Sequence, residues 1–274
     1  MKATAGSEKD AVIIEHGGIS MRLNRLNDME QYIIEKETVS LEHLADHFQV
    51  SINTIRRDLN ELLKRGRISK VYGGVSAASQ ASPLPMSVRS AKNNDAKQKI
   101  GRIAAELVKD DDTIFLDSGS TVLCILPYLA SRKNITVITH SLSVMYEASK
   151  YPSIQLISLG GLYNHTTSSF VGISTLEALS AITPRAVYIA ATGVSLEHGL
   201  TNTTYFEAEI KRKVVQSCDR IILMADHSKF NYSSTISFYH FEDLSTIVTD
   251  KKPPKKYLEA AKQNNISLFY EDFS

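Results

Sequence analysis

From about residue 93 to residue 274, short apolar runs rich in β-branched residues alternate with stretches of helical period. This alternation is what most constrains the fold. Strands separated by helices cannot pair as tight hairpins. They need crossover connections, which give a mainly parallel sheet with helices on both faces. The runs Thr113–Asp117, Ile135–Thr139, Ile154–Leu159, Ala186–Ala191, Ile221–Ala225, Thr246–Thr249 and Ile266–Tyr270 are expected as strands. Helices are expected after Thr121 to about Ala130, from about Ser143, and near Lys255–Lys262. The region 93–274 therefore reads as one α/β domain.

Polar, glycine-bearing segments recur at the carboxyl ends of these strands, where open α/β sheets bind ligands. Ser118-Gly119-Ser120-Thr121 offers hydroxyls, backbone N–H groups and the positive end of a helix dipole, which suit phosphate or another anion. A Ser/Gly turn that merely caps a helix reads the same way. Walker and dinucleotide glycine patterns are both absent, so no nucleotide cofactor is expected. Lys229, just past a strand end, can neutralise an anion or form a surface ion pair with Asp226. Glu207 and Lys211 stand four apart on a predicted helix, so a salt bridge within that helix is the default reading. Gly160-Gly161 and Gly193 admit close backbone approach or simple turns. His140, His165, His198 and His227 have no acidic partner at triad or metal spacing. No catalytic residue and no metal site are expected.

Residues 21 to 75 have a different texture, dense in Leu, Ile and charge. Leu23, Leu26, Met29, Ile33 and Ile34 follow a helical period. Ser40 can cap a helix over Leu41–Phe48, and Gln49-Val50-Ser51 forms a turn. Ser51 caps a third helix to about Lys64, with Ile55, Leu59 and Leu62 inward. Ile68–Tyr72 and Gly73-Gly74 then suggest a hairpin. This is the layout of a winged helix-turn-helix. It leaves Asn53, Thr54, Arg56 and Arg57 on the outer faces near the amino end of the helix that enters the major groove. Ser51, Arg67 and Lys70 complete the candidate DNA contacts, the last two on the wing. From Ser51 to Tyr72 there are six basic and two acidic residues, a local +4 inside a chain of net charge +1. That total argues against a protein basic throughout, yet permits a local basic surface.

Residues 76–92 are rich in Ser, Ala and Pro and read as a linker. Residues 1–20 show no clear periodicity and read as a flexible extension, with Met21 an alternative start. Cys124 and Cys218 are too few for a disulfide scaffold, no secretory signal is present, and no apolar stretch reaches membrane-spanning length. A cytoplasmic protein without a membrane partner is expected.

The run Val39-Ser-Leu-Glu-His-Leu-Ala-Asp-His-Phe-Gln-Val-Ser-Ile-Asn-Thr-Ile-Arg-Arg-Asp-Leu-Asn-Glu-Leu, followed by Val71-Tyr-Gly-Gly-Val, resembles the amino-terminal domain of DeoR-family bacterial transcriptional regulators. The Val-Ser-x-x-Thr-Ile-Arg-Arg-Asp-Leu core stands at Val50–Leu59. The resemblance continues over about residues 22–250. Leu116-Asp-Ser-Gly-Ser-Thr, Val137-Ile-Thr-His-Ser, Leu159-Gly-Gly, Thr192-Gly-Val, Gly199-Leu-Thr, Glu207-Ala-Glu-Ile-Lys and Asp226-His-Ser-Lys-Phe match the sensor domain of that family in order. The resemblance implies a fold similar to sugar-phosphate isomerases and CoA-transferases, binding a phosphorylated sugar that alters operator affinity. By position it implies Asp117, Ser118, Gly119, Ser120 and Thr121 as the phosphate-side loop, with Gly160, Gly161, Gly193, Asp226 and Lys229 lining the same pocket. Ser120 and His140 stand where the family often has Thr and Asn, so the contact at His140 differs.

The expected function is therefore a DNA-binding repressor of a carbohydrate uptake or catabolism operon, relieved by a phosphorylated sugar. Paired half-sites imply a homodimer or homotetramer. The rival is a sugar-phosphate isomerase-like enzyme with an appended DNA-binding domain. It needs a general base, for which Asp117, Glu207 and Asp226 are the candidates.

Overall fold

The computed structural model describes residues 25–36, 38–65, 68–71, 74–77 and 83–271. The chain forms two compact units, Met1–Ser79 and Gln80–Ser274. The expected extension at 1–20 and the candidate contact Arg67 lie outside the described residues.

In the first unit, helix α1 (residues 25–36) buries Leu26, Met29 and Ile33, at steps of three and four. Strand β1 (Thr38–Ser40) leads into α2 (Leu41–Phe48), where Ser40 Oγ accepts from the His43 amide at 3.1 Å. Gln49, at φ 52°, ends α2 in the left-handed region. Ser51 Oγ accepts from the Thr54 amide at 3.2 Å and starts α3 (Ile52–Arg65). Both caps satisfy backbone donors that the first helical turn leaves open. Ile55, Leu59 and Leu62 are buried against Leu26, Met29, Ile33 and Leu44. Strands β2 (Ile68–Val71) and β3 (Gly74–Ala77) form the expected hairpin, and β1 adds to β3 as a third antiparallel strand. Three residues are too few to display an alternation, so β1 is silent in the sequence.

In the second unit, residues 86–91, which composition assigns to the linker, form a short helix, α4 (Met86–Ala91). It is followed by α5 (Asn94–Glu106), β4 (Thr113–Leu116), α6 (Ser120–Leu123) and α7 (Leu126–Leu129). A single helix to Ala130 was the expectation. It is two one-turn pieces, because Pro127 at the start of α7 has no N–H to continue the first. Then come β5 (Ile135–Thr139), α8 (Leu142–Ala148), β6 (Ile154–Ser158), the β7 (Leu162–Asn164)–β8 (Ser169–Val171) hairpin and α9 (Ile173–Ser180). The chain continues through β9 (Ala186–Ile189), β10 (Gly193–Ser195), β11 (Gly199–Asn202), α10 (Tyr205–Val215) and β12 (Ile221–Met224). A 3₁₀ turn at His227–Lys229, β13 (Ile236–Tyr239), β14 (Thr246–Val248), α11 (Lys255–Gln263) and β15 (Ser267–Phe269) close it.

The main sheet has seven strands in the order β15-β14-β12-β9-β4-β5-β6, and every pairing is parallel. A separate antiparallel sheet, β10-β11-β13, stands beside it. The two-residue period sends Ile114 and Leu116 into one core and Phe115 into the other, so both faces of the main sheet are buried. From β4 the chain steps outward to β5 and β6, then crosses back to β9 and builds in the opposite direction. The direction of winding thus reverses between β4 and β9. At such a reversal the loops diverge and leave a crevice at the carboxyl edge. Among the described residues, no helix is long and apolar enough to cross a membrane.

Candidate functional site

In the first unit, the outer face of α3 presents Asn53, Arg56 and Arg57 to solvent, with Lys70 exposed on the wing. Thr54 is half-buried, and its hydroxyl shares a 2.9 Å bond with Ser51 Oγ. These two side chains therefore build the cap, which orients the basic face. Asp58, on the opposite side of α3, is buried and accepts from Arg25 Nε and Nη2 at 3.0 and 2.8 Å. That pair fastens α3 to α1 and so fixes the direction in which Arg56 and Arg57 project. The pairing is invisible in sequence because 33 positions separate its partners.

In the second unit, a cleft of about 810 Å³, counted out to its open mouth, lies at the β4/β9 reversal. Its floor is the loop Ser118–Thr121 after β4 and residues Ala190–Thr192 after β9. Gly119 is required there, since a Cβ at this position would come within 2.3 Å of Ala190 Cβ. Beneath the floor, Asp117 is completely buried and accepts from the Ala190 amide at 3.1 Å. Lys211, reaching in from α10, donates to Asp117 Oδ2 and, at 2.9 Å, to the Ala190 carbonyl. Burial by itself would raise the Asp117 pKa. The Lys211 ammonium, with help from His140 and the Ala190 amide, overcomes that and holds it below the ordinary value. The helix salt bridge expected between Glu207 and Lys211 is replaced by this longer-range pair. Glu207 instead accepts from Ser118 Oγ at 3.0 Å, Asn202 Nδ2 at 3.1 Å and Thr204 Oγ1 at 3.3 Å. Both side chains are buried on the cleft side of α10, where each finds a partner better than its helical neighbour.

Four further cations line the cleft. Arg89 comes from α4, Lys92 follows it as the C-cap, Lys97 comes from α5 and Lys229 from the 3₁₀ turn. Among the described residues, no carboxylate lies within ion-pair distance of Arg89 or Lys229. Asp226, the expected partner of Lys229, is occupied otherwise: it accepts from the Ser228 amide at 3.0 Å and from Asn93 Nδ2 at 3.1 Å. Burial is the main cause lowering the pKa of Arg89 and of Lys229, and neighbouring cations add to it at Lys229. Burial likewise brings Lys97 down to about 8.

Of the effector residues expected from sequence, the structure brings Ser118, Gly119, Ser120, Thr121, Asp226 and Lys229 to one cleft, with Asp117 directly below. It does not bring Gly160, Gly161, Gly193 or His140 to the lining. Gly160 and Gly161 form the turn between β6 and β7, where the Gly160 carbonyl accepts from Thr175 Oγ1, and Gly193 opens β10. His140 sits behind the floor, stacked on Phe115 at 5.8 Å, with burial lowering its pKa. Arg89, Lys92, Asn93, Lys97, Thr192, Asn202 and Thr203 line the cleft without having been nominated. The first four lie in or next to the segment that composition reads as linker. Only the spacing of basic residues there could have flagged them.

Comparison with known proteins places both units. Residues 25–81 match the DeoR-like helix-turn-helix domain, and residues 92–251 match the DeoR C terminal sensor domain. The HTH-type transcriptional regulator IolR of Bacillus subtilis is 38% identical over 248 residues, covering 90% of this chain and 99% of that protein. The glycerol-3-phosphate regulon repressor of Escherichia coli is 27% identical, covering 89% of this chain and 97% of that protein. Among solved structures, ribose 5-phosphate isomerase A of Methanocaldococcus jannaschii aligns over 51% of this chain and 55% of its own, with TM-score 0.39 and 21% identity. Both domain models cover this chain in the order its two units occur, and the chain belongs to the DeoR family of DNA-binding transcriptional regulators.

Proposed function

We propose that the protein represses genes for carbohydrate uptake or catabolism, and that a phosphorylated sugar in the β4/β9 cleft weakens its grip on the operator. The charge of the cleft carries this reading. Five cations (Arg89, Lys92, Lys97, Lys211 and Lys229) face three carboxylates (Asp117, Glu207 and Asp226), an excess of two. A phosphomonoester carries close to two negative charges at neutral pH. A simple carboxylate would leave half the excess uncompensated. Asn202, Thr203 and Glu207, in the same lining, offer the donors and acceptors a polyol needs. Desolvated cations short of counter-charge gain most from such a ligand.

The operator is read by Arg56, Arg57 and Asn53 in the major groove, with Lys70 at phosphate or minor groove and Ser51 and Thr54 presenting the helix. Two half-sites call for a homodimer or homotetramer. An isomerase is disfavoured by the state of the nominated acids. Asp117 is tied to Lys211, Asp226 to Ser228 and Asn93, and Glu207 accepts three donors, so none is a free base.

The test is a thermal-shift screen of the full chain against a sugar-phosphate panel, followed by operator binding with each hit. A ligand specific to the folded state raises the melting point, and the expected hit also lowers operator affinity. No hit, or turnover of one, refutes the reading.

A further inference from the structure

The cleft has two walls of different origin. One is the carboxyl edge of the sheet, with the 118–121 loop and Lys229. The other is a strap formed by residues 83–93, which contributes Pro83, Leu84, Arg89, Lys92 and Asn93. The strap is the first described stretch of the second unit, beginning just after the boundary between Ser79 and Gln80. In chain order it stands between the sensor and the DNA-reading unit.

Met86 of α4 is buried, and among the described residues the hydrogen bonds from the strap to the sensor body are few. The Met86 amide donates to the Thr166 carbonyl at 3.0 Å, and Arg89 Nη2 to the Thr167 carbonyl at 3.3 Å. At the far end, Asn93 Nδ2 donates to Asp226 Oδ1 and to Ser228 Oγ, at 3.1 and 3.3 Å. From α5, Lys97 Nζ donates to the Arg89 carbonyl and, at 2.6 Å, to that of Lys92. Arg89 and Asn93 therefore serve both as tethers and as cleft lining. The strap also carries two of the cations, Arg89 and Lys92, while Lys229 stands on the body. These like charges share one cleft and oppose its tightening. An anion between them reverses the sign of the force.

We propose that the strap is a ligand-closed clamp: an anion held by the Ser118–Thr121 loop and Lys229 is gripped at the same time by Arg89 and Lys92, fixing residues 83–93 on the sensor body. The inference rests on the cleft being an anion site, as the proposed function has it. It adds binding roles for Arg89 and Lys92 and a route by which occupancy reaches the linker. A ligand shifts only an equilibrium whose two states it binds unequally. The open and closed strap are two such states, because only the closed one offers the second set of cations.

Hydrogen exchange of the full chain, with inorganic phosphate against chloride at matched ionic strength, tests this. Saturating phosphate is expected to slow exchange about tenfold both at 118–123 and at 86–93. In Arg89→Gln and in Lys92→Gln, the latter an exposed side chain with no hydrogen bond or ion pair among the described residues, protection at 118–123 persists while that at 86–93 falls. Protection confined to 118–123 in the unsubstituted protein overturns the clamp and leaves the anion site standing. No protection anywhere removes the anion site, and the clamp with it.

Discussion

Lys211→Met is the most informative single perturbation of the sensor unit. The Lys211 and Asp117 side chains are 5% and 0% exposed, so solvent screens neither. The variant keeps a side chain of similar length and removes the ammonium, which lies 5.4 Å from the Phe238 ring centroid and donates to Asp117 and to the Ala190 carbonyl. Asp117 then retains the Ala190 amide but no counter-charge. Breaking a buried pair from one side costs about 3–5 kcal/mol, because an uncompensated charge is left behind. For a unit of this size, 1 kcal/mol moves the melting point by about 2–4 °C, so a drop of roughly 6–20 °C is expected. The pH dependence supplies a second sign. In the natural protein the Asp117 pKa is lowered, so its stabilisation is full above the unfolded carboxylate value and is lost as pH falls through the lowered folded-state value. In Lys211→Met, burial without a partner raises it, and stability is then gained on acidification and lost as pH climbs through the raised value. Between pH 8 and pH 5 the deficit of the variant is therefore expected to shrink. Asp117→Asn/Lys211→Met, which removes both charges, is expected to recover most of the loss. Melting curves of the three proteins across that range decide the matter. A deficit below about 1 kcal/mol, or one independent of pH, refutes the claim that this pair supports the cleft floor.

Arg56→Ala or Arg57→Ala is expected to weaken operator binding by about 1–3 kcal/mol, about five- to 150-fold, with the melting point unchanged because both side chains are exposed. Mobility-shift titrations at fixed salt check this, and equal affinity in both variants removes α3 as the reading helix. Lys229→Ala is expected to lower affinity for inorganic phosphate by about tenfold or more, since a charge-assisted contact is lost. Unchanged titration calorimetry would make Lys229 purely structural. Affinity for a phosphomonoester is expected to rise as pH climbs through about 6, where its dianion forms, and to fall above about 8, where Lys97 gives up its proton. Calorimetry at constant ionic strength follows both limbs, and Lys97→Met is expected to abolish the upper one.

Much of this architecture was legible because it rests on local pattern. Ser40, Ser51 and the Ile55–Leu59–Leu62 stripe lie within a turn or two of what they organise, so spacing alone locates the helix-turn-helix. The strands after residue 113 announce themselves by β-branched runs, and the loop Ser118–Thr121 by its place at a strand end. What stayed hidden was long-range. Lys211 and Asp117 are 94 positions apart, and the default reading of Lys211 as a partner of Glu207 follows from knowing only its helix. The strap was hidden for another reason. A six-residue helix has too few turns to show a period, and the Ser, Ala and Pro around it dominate the composition. The antiparallel additions, β1, β7–β8 and β10-β11-β13, are short strands whose pairing depends on partners that sequence does not name.

A net charge of +1 conceals two positive surfaces, one for each anion the proposed function requires. Their placement differs for a physical reason. DNA is long and charged along its whole length, so Arg56, Arg57 and Lys70 work best exposed, where the field acts at a distance. A small phosphomonoester must be distinguished from the many anions around it, and that calls for desolvated charge inside a shaped cleft. Arg89 and Lys97 meet this need by burial, at the cost of lowered pKa values. The cost falls on the empty cleft, since cations without counter-charge resist enclosure. The occupied cleft recovers it. On this reading the energy that couples ligand to strap is not an added device. It is the same desolvation that makes the cleft selective, released when the dianion arrives.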